Sequence, residues 1–208
     1  MAVAQLKLVA LPSQLPGLKL ALKHAGANAS RRRLPVVCTY YDSLDLKLRQ
    51  QGLSLCVEQR GSRRGQGLKS LGSVDGAEVG GWWDRITTDR PDPSAGETGP
   101  RWRAIVDDAE LHPLFKTQIR RTFHKVSLNS TTEIVATLGE GRIDLGTGDT
   151  TEAVCELELE LAQGDPPALY DLALRLLDAV PLRIETLGLA ERGYRLSDVQ
   201  SGVVTSPP

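Results

Sequence analysis

The chain has 208 residues, 25 lysines and arginines against 26 aspartates and glutamates, and a formal net charge of −1. That length makes one large domain or two small ones, with enough chain to bury a proper core. The charge balance gives no global case for a nucleic-acid partner or an acidic membrane surface. The three cysteines, Cys38, Cys56 and Cys155, are odd in number and lack metal-ligand spacing, as expected of a reduced, intracellular and cytoplasmic protein. Lys7 interrupts the N-terminal apolar stretch, so no signal peptide is expected, and no run approaches a membrane span.

In chain order, Val3–Leu11 reads as a strand. Ser13–Gly26 reads as a helix with Ser13 as N-cap and Gly26 as its stop. Arg31–Arg33 falls in a predicted loop, as a solvated run. Val36–Ser43 is a predicted strand, and Leu44–Gly52 a short helix ended by glycine. The stretches "LSLCVEQRG" and "GQGLKSLG" read as a hairpin around "SRR". Gly81–Thr87 is a further strand, followed by "TDRPDPSAGETGP", rich in turn formers and expected to be a mobile loop. A helix is expected within "RWRAIVDDAELHPLF". "KTQIRRTFHKVSL" and "TEIVATLGEGRIDL" then form a long predicted hairpin, with Gly146–Asp149 a turn rather than a phosphate loop, since no helix follows it. "CELELEL" from Cys155 is a strand, and a helix runs from about Pro166 to Ala179. Residues 197–208 are expected to be a disordered tail. About eight short strands joined largely as hairpins fit a closed antiparallel barrel, and a sandwich fits as well.

The strand from Cys155 carries the sharpest pattern. Leu157, Leu159 and Leu161 alternate with Glu156, Glu158 and Glu160, so the two faces of the strand are unlike. Two readings fit. In an open sheet the leucines face a core and the glutamates meet water. In a closed barrel with a polar interior the leucines pack under outer helices and the carboxylates point into the lumen. Crowded carboxylates there need a compensating cation, and oxygen ligands suit Mg2+ or Mn2+.

"TYYDSLDLKLRQQGLSL", "CELELEL" with its following helix, and "AERGYRL" at Ala190–Leu196 together resemble the CYTH domains of the triphosphate tunnel metalloenzyme superfamily. The resemblance runs from about Val3 to Leu196, giving a CYTH-like domain over residues 1–196. It implies a mainly β fold: a closed eight-stranded antiparallel barrel, helices packed outside, with Val3, Gln5 and Lys7 pointing into the lumen. It implies triphosphate or polyphosphate as the partner, held by Lys7, Lys69 and Arg121. It makes Glu156 and Glu158 the metal ligands, with Glu160 on the same face nearer the strand end. Mg2+ or Mn2+, bound weakly, would polarise the phosphoryl group. CYTH domains also occur fused to a helical domain called CHAD, which is not expected within these residues.

The resemblance also marks departures. The usual E-x-E-x-K of the first strand is "VAQLK" here, with Val3 and Gln5 in the places of two acids. The third strand has Cys56 and Glu58 where alternating arginines are usual, Gly67 stands where threonine is common, and Leu189 replaces a lysine before "AERGY". Turns, outer leucines and helices survive, while inward residues of both signs have changed. The expected function is therefore a triphosphate- or polyphosphate-binding domain related to metal-dependent inorganic triphosphatases, with reduced or lost hydrolysis. The alternatives are a non-catalytic interaction barrel and an active triphosphatase with a rearranged site. Trp82 and Trp83 put one ring on each face of a strand, one in the core or a lid, with stacking on a base as the minority option. His24, His112 and His124 are scattered and read as surface or capping residues, and Arg120–Lys125 reads as a basic strand with a solvated outer face.

Overall fold

The computed structural model describes residues 4–72, 82–146 and 150–201. Its strands are β1 (Gln5–Val9), β2 (Ala27–Asp42), β3 (Leu53–Arg60), β4 (Arg63–Ser70), β5 (Trp82–Ile86), β6 (His112–Ser127), β7 (Glu133–Asp144), β8 (Thr151–Gln163) and β9 (Arg183–Ile184). Its helices are α1 (Leu15–His24), α2 (Lys47–Gln50), α3 (Thr98–Val106), α4 (Pro167–Ala179) and α5 (Leu189–Gln200). Helix α5 continues past Leu196; the expected tail beyond it, like Val3 and most of the Gly146–Asp149 turn, lies outside the described residues.

The strands form one sheet in the order β5-β4-β3-β2-β6-β7-β8-β1-β9, and every pair with a recorded register is antiparallel. The closed eight-stranded barrel is not what forms. Among the described residues there are nine strands, and their order has two ends, β5 and β9. Strand β9 pairs with the edge of β1 that β8 leaves free, Leu8 opposite Ile184 and Val9 opposite Arg183. A closing partner would need that same edge. Two residues are too few to show alternation, so the pattern of the sequence does not announce β9.

The chain makes two compact units. The first draws on Met1–Leu34, Ile119–Gly141 and Ala153–Thr186. Its core settles the meaning of the alternating leucines. Leu157 and Leu159 of β8 pair with Leu8 and Leu6 of β1, and their side of the sheet lies under α1 and α4. Helix α1 contributes Leu18, Ala21 and Leu22, and α4 contributes Leu169, Leu172, Ala173 and Leu176, each set spaced to make one apolar stripe. Each such leucine contributes roughly 1.5–3 kcal/mol on burial. Gly26, at φ 83°, ends α1 in the left-handed conformation glycine tolerates, as expected. Ser13 does not cap α1. It sits in a 3-10 turn over Pro12–Gln14, where the Gln14 Oε1 accepts the Leu11 N–H at 2.7 Å instead. The Arg31–Arg33 run is not a loop but part of β2.

The second unit draws on Pro35–Gln118, Arg142–Glu152 and Leu187–Pro208. Leu55 and Val57 of β3, Leu68 of β4 and Ile86 of β5 form one sheet face, packed on Leu48 of α2 and on Trp102 and Val106 of α3. The segment expected to be a mobile loop is tied down. The Gln66 side chain donates to the Asp92 carbonyl at 2.9 Å and accepts its N–H at 2.8 Å, and the Tyr41 hydroxyl donates to the Asp89 carbonyl at 3.0 Å. Turn-forming residues set a path there that buried Gln66 holds in place. Asp42, fully buried, is the node of the unit. It accepts the N–H groups of Ser43, Leu48 and Arg49 at 2.8–3.0 Å and the Tyr194 hydroxyl at 3.1 Å. Arg49 lies over the Tyr194 ring and grips Asp198 of α5 through both terminal nitrogens at 2.6 and 2.5 Å. Phe115 stacks on Tyr40 and meets Tyr194 edge-on, so close to Gly193 that no side chain fits there.

Candidate functional site

The face of the first unit's sheet turned away from α1 and α4 is polar. The register of β1 and β8 sets Gln5 opposite Glu160, Lys7 opposite Glu158 and Val9 opposite Glu156. Lys7 Nζ lies 3.5 Å from Glu158 Oε1, both side chains being nearly buried. Glu156 is buried as well, and glycine at 139 makes room for it: a Cβ there would sit 3.1 Å from Glu156 Cγ and 3.4 Å from Ile119 Cγ2. Ile119 thus shares this face, and Arg121, two residues along β6, shares it by alternation. Four residues expected from the sequence, Lys7, Arg121, Glu156 and Glu158, therefore occur on one face of this unit. Glu160 is exposed near the end of the strand.

Lys69 belongs to the second unit, on β4. Here the face turned away from α2 and α3 carries Cys38 of β2, Cys56, Glu58 and Arg60 of β3, Gly65, Gly67 and Lys69 of β4, and Trp83 and Arg85 of β5. A cavity of about 330 Å³ opens on it, lined by Glu58, Arg60, Arg63, Arg64, Gly65, Lys69, Trp83 and Arg85. Five cationic residues and one carboxylate thus line it; Arg64, opposite Ile86, belongs by register to the other face of β4, and the Glu58 carboxylate is ion-paired with Arg60. The Cys38 thiol also points at it, Sγ 3.8 Å from Glu58 Oε2. A hydrogen bond from Cys38, together with the Lys69 charge, holds the Cys56 thiol below its usual range despite burial, while the same contact and burial push Cys38 up. Trp83 lies across Gly65 and Gly67. A Cβ on Gly67 would fall 2.7 Å from the indole Cε3, and one on Gly65 would collide with Cζ2.

Among the described residues no group of three or more His, Cys, Asp or Glu side chains is placed to hold a metal. Glu156 and Glu158 alone are a partial ligand set, with Glu158 already facing Lys7. Such a pair fits Mg2+ or Mn2+ only when water and phosphate oxygens supply the other positions.

No protein-family model matches the chain. It is 27% identical over 168 residues to an inorganic triphosphatase of Haemophilus influenzae, covering 78% of this chain and 46% of that protein. The chain thus spans about half the length of this curated relative. The fold matches HpAC1 of Hippeastrum, an adenylyl cyclase candidate with a dominant triphosphatase activity, at a TM-score of 0.61 and 16% identity, over 97% of this chain and 96% of that one. It matches an adenylate cyclase candidate of Bacillus halodurans at 0.52 and 11% identity, over 85% and 88%. These likenesses are of fold, and they agree with the resemblance to CYTH domains carried by the sequence.

The stretches that carry the resemblance, "TYYDSLDLKLRQQG" and "ERGYRL", supply Asp42, Arg49, Gly193 and Tyr194, which hold the second unit together. Of the positions that depart, Gln5, Cys56, Glu58 and Gly67 lie on the polar faces, while Leu189 opens α5. Sequence reasoning missed Arg60, Arg63, Arg64 and Arg85. The signal was present in the register: a hairpin turning at Gly61 places Arg60 opposite Arg63, and β5 places Arg85 opposite Gly65. Reading "SRR" only as turn residues concealed it. The Trp82 side chain lies outside what the structure describes, whereas Trp83 falls on the cavity face.

Proposed function

We propose that this chain is a CYTH domain that binds triphosphate or polyphosphate and hydrolyses it slowly or not at all. The observation that carries the reading is the cavity lined by Arg60, Arg63, Arg64, Lys69 and Arg85, with Glu58 as its one carboxylate. Guanidinium groups match phosphate oxygens in pairs, and a cluster of them in a recess is a strong anion site. The volume falls at the small end of the ligand-pocket range of roughly 300–1,000 Å³. Lys7 and Arg121 are the proposed phosphate contacts on the first unit, and Glu156 and Glu158 the proposed metal ligands. When bound, a divalent ion would supply polarisation of the phosphoryl group.

Slow hydrolysis follows from the first unit's face. Gln5 offers a neutral oxygen where the family's pattern has an acid, and Glu158 is engaged by Lys7. An incomplete acid set binds metal weakly and loses rate by orders of magnitude. An active enzyme with a rearranged site is the second reading, and it has the four unexpected arginines in its favour. The test is release of phosphate from inorganic triphosphate with saturating Mg2+ or Mn2+, compared with the Glu156→Ala, Glu158→Ala variant. The proposal expects turnover well under the roughly 10 s⁻¹ typical of enzymes, together with saturable triphosphate binding. Turnover at that typical rate would establish the second reading. Absence of binding would overturn both.

A further inference from the structure

Two nucleophiles that the proposed chemistry does not use stand together on the polar face of the second unit. Cys38 of β2 lies opposite Glu58 of β3, and Cys56, two residues before Glu58, lies opposite Tyr40. The two cysteines are therefore diagonal neighbours on adjacent antiparallel strands and share one face. Their thiols meet in a hydrogen bond, and the charge of Lys69 draws Cys56 toward its thiolate, the form that reacts with oxidants. The Cys38 thiol has a second acceptor in reach, the Glu58 carboxylate, 3.8 Å from Sγ and ion-paired with Arg60. Cys38 reaches the surface, whereas Cys56 is 4% exposed, so a reagent that reaches both must be small. Diagonal neighbours stand slightly further apart than bridged cysteines do, so a bond between them draws β2 and β3 together by about 1 Å. Gly67, opposite Cys56 on β4, leaves that sulfur room to move, since even a Cβ there would lie 3.6 Å from Sγ.

We propose that Cys38 and Cys56 are an oxidant-reactive pair that a small hydroperoxide converts reversibly into a disulfide between β2 and β3. With hydrogen peroxide, the Cys56 thiolate attacks one oxygen. An S–O bond forms, the O–O bond breaks, and the leaving hydroxide takes up the proton that Cys56 gave up, making water. The Cys38 sulfur, its proton passing to Glu58, then attacks the Cys56 sulfur. The S–S bond forms, the S–O bond breaks, and the second hydroxide leaves as water with the proton that Glu58 held. Two thiols and one peroxide thus give one disulfide and two waters, and a dithiol reductant returns the pair to thiols. Cys155 stands outside the reaction, on β8 of the first unit, where burial pushes its thiol up. The pair shares its face with the arginine-lined cavity, but its reactivity does not depend on what that cavity binds.

The experiment treats the unmodified chain, Cys38→Ser, Cys56→Ser and Cys155→Ala with equimolar hydrogen peroxide at neutral pH. Free thiols are then counted in denaturant, and bridged peptides are mapped by mass spectrometry. The reduced chain has three free thiols, Cys38, Cys56 and Cys155. Oxidation should leave only Cys155, with Cys38 and Cys56 in one bridged pair of peptides, and dithiothreitol should restore all three. Cys155→Ala should lose both of its thiols at the unmodified rate. Cys56→Ser should lose thiol at least about tenfold more slowly, because the reactive thiolate is gone. Cys38→Ser should react and stop at a Cys56 sulfenic acid that dimedone traps. Retention of all three thiols, a bridge to Cys155 or between two chains, or thiol loss from Cys56→Ser at the unmodified rate would overturn the proposal.

Discussion

The two units share a plan and differ in chemistry. Each covers one sheet face with helices and leaves polar residues on the other. On the first unit that second face is balanced: Glu156 and Glu158 are set against Lys7 and Arg121, with Lys7 and Glu158 in contact. On the second it is lopsided, Arg60, Arg63, Lys69 and Arg85 standing against one carboxylate. A balanced face spends its charges on itself, because each ion pair offsets the cost of burying its members. A lopsided recess carries unneutralised charge and recruits an anion from solution. Similarity to an inorganic triphosphatase directs attention to the first face; the charge distribution is what supports the proposed anion site on the second.

The comparison can be broken most severely at the node that holds the second unit. Asp42→Ala removes the acceptor for three backbone N–H groups and the Tyr194 hydroxyl. Stability should fall by about 3–5 kcal/mol, read as a lower urea midpoint, and triphosphate binding should fail with it. A milder break is Gly67→Ala, whose Cβ would lie 2.7 Å from the Trp83 ring. It should cost about 1–3 kcal/mol as overpacking does and alter the tryptophan emission spectrum, whereas Gly139→Ala, in looser contact with Glu156, should leave that spectrum unchanged.

Adding an acid to the first unit sharpens the contrast. Gln5→Glu adds a fourth carboxylate to the face that carries Glu156, Glu158 and Glu160, on the same strand as Lys7. Mn2+ affinity should rise about tenfold, roughly 1.4 kcal/mol, in calorimetric titration, with no change in metal-free anion binding. The smallest effect concerns pH. The Arg49 guanidinium holds the Asp198 carboxyl below the usual carboxylate range. A depressed value means the stabilisation is complete above the unfolded value of about 3.9 and is lost as pH falls through the folded one. Asp198→Asn should therefore cost about 1 kcal/mol or less at neutral pH and flatten the loss of stability below about pH 4, measured by urea unfolding at stepped pH.

Much of this was legible in the sequence, and the limits have physical causes. The leucines and glutamates of β8 alternate, so their separation onto two faces follows from the period of a strand. The helices α1 and α4 follow from their apolar stripes. Closure of the sheet was not legible, because strand order depends on edges, and the edge of β1 is taken by the two residues of β9. The arginine cavity was concealed for a related reason. Arg60, Arg63 and Arg85 come from three strands, and only register brings them together. Sequence spacing shows which face a residue takes within its own strand; it does not show which neighbours the other strands deliver.

The central claim is that anion affinity belongs to the second unit's face and does not depend on the carboxylates of the first. Its most direct test is titration of inorganic triphosphate in the presence of EDTA, using the unmodified chain, Arg63→Glu, Arg85→Glu, and Glu156→Gln, Glu158→Gln. The account predicts saturable binding without metal, lost by at least about a hundredfold in the arginine variant, a change of roughly 2.7 kcal/mol, and kept within about threefold in the glutamine variant. Binding that appears only with Mg2+ or Mn2+ and vanishes in the glutamine variant would contradict it.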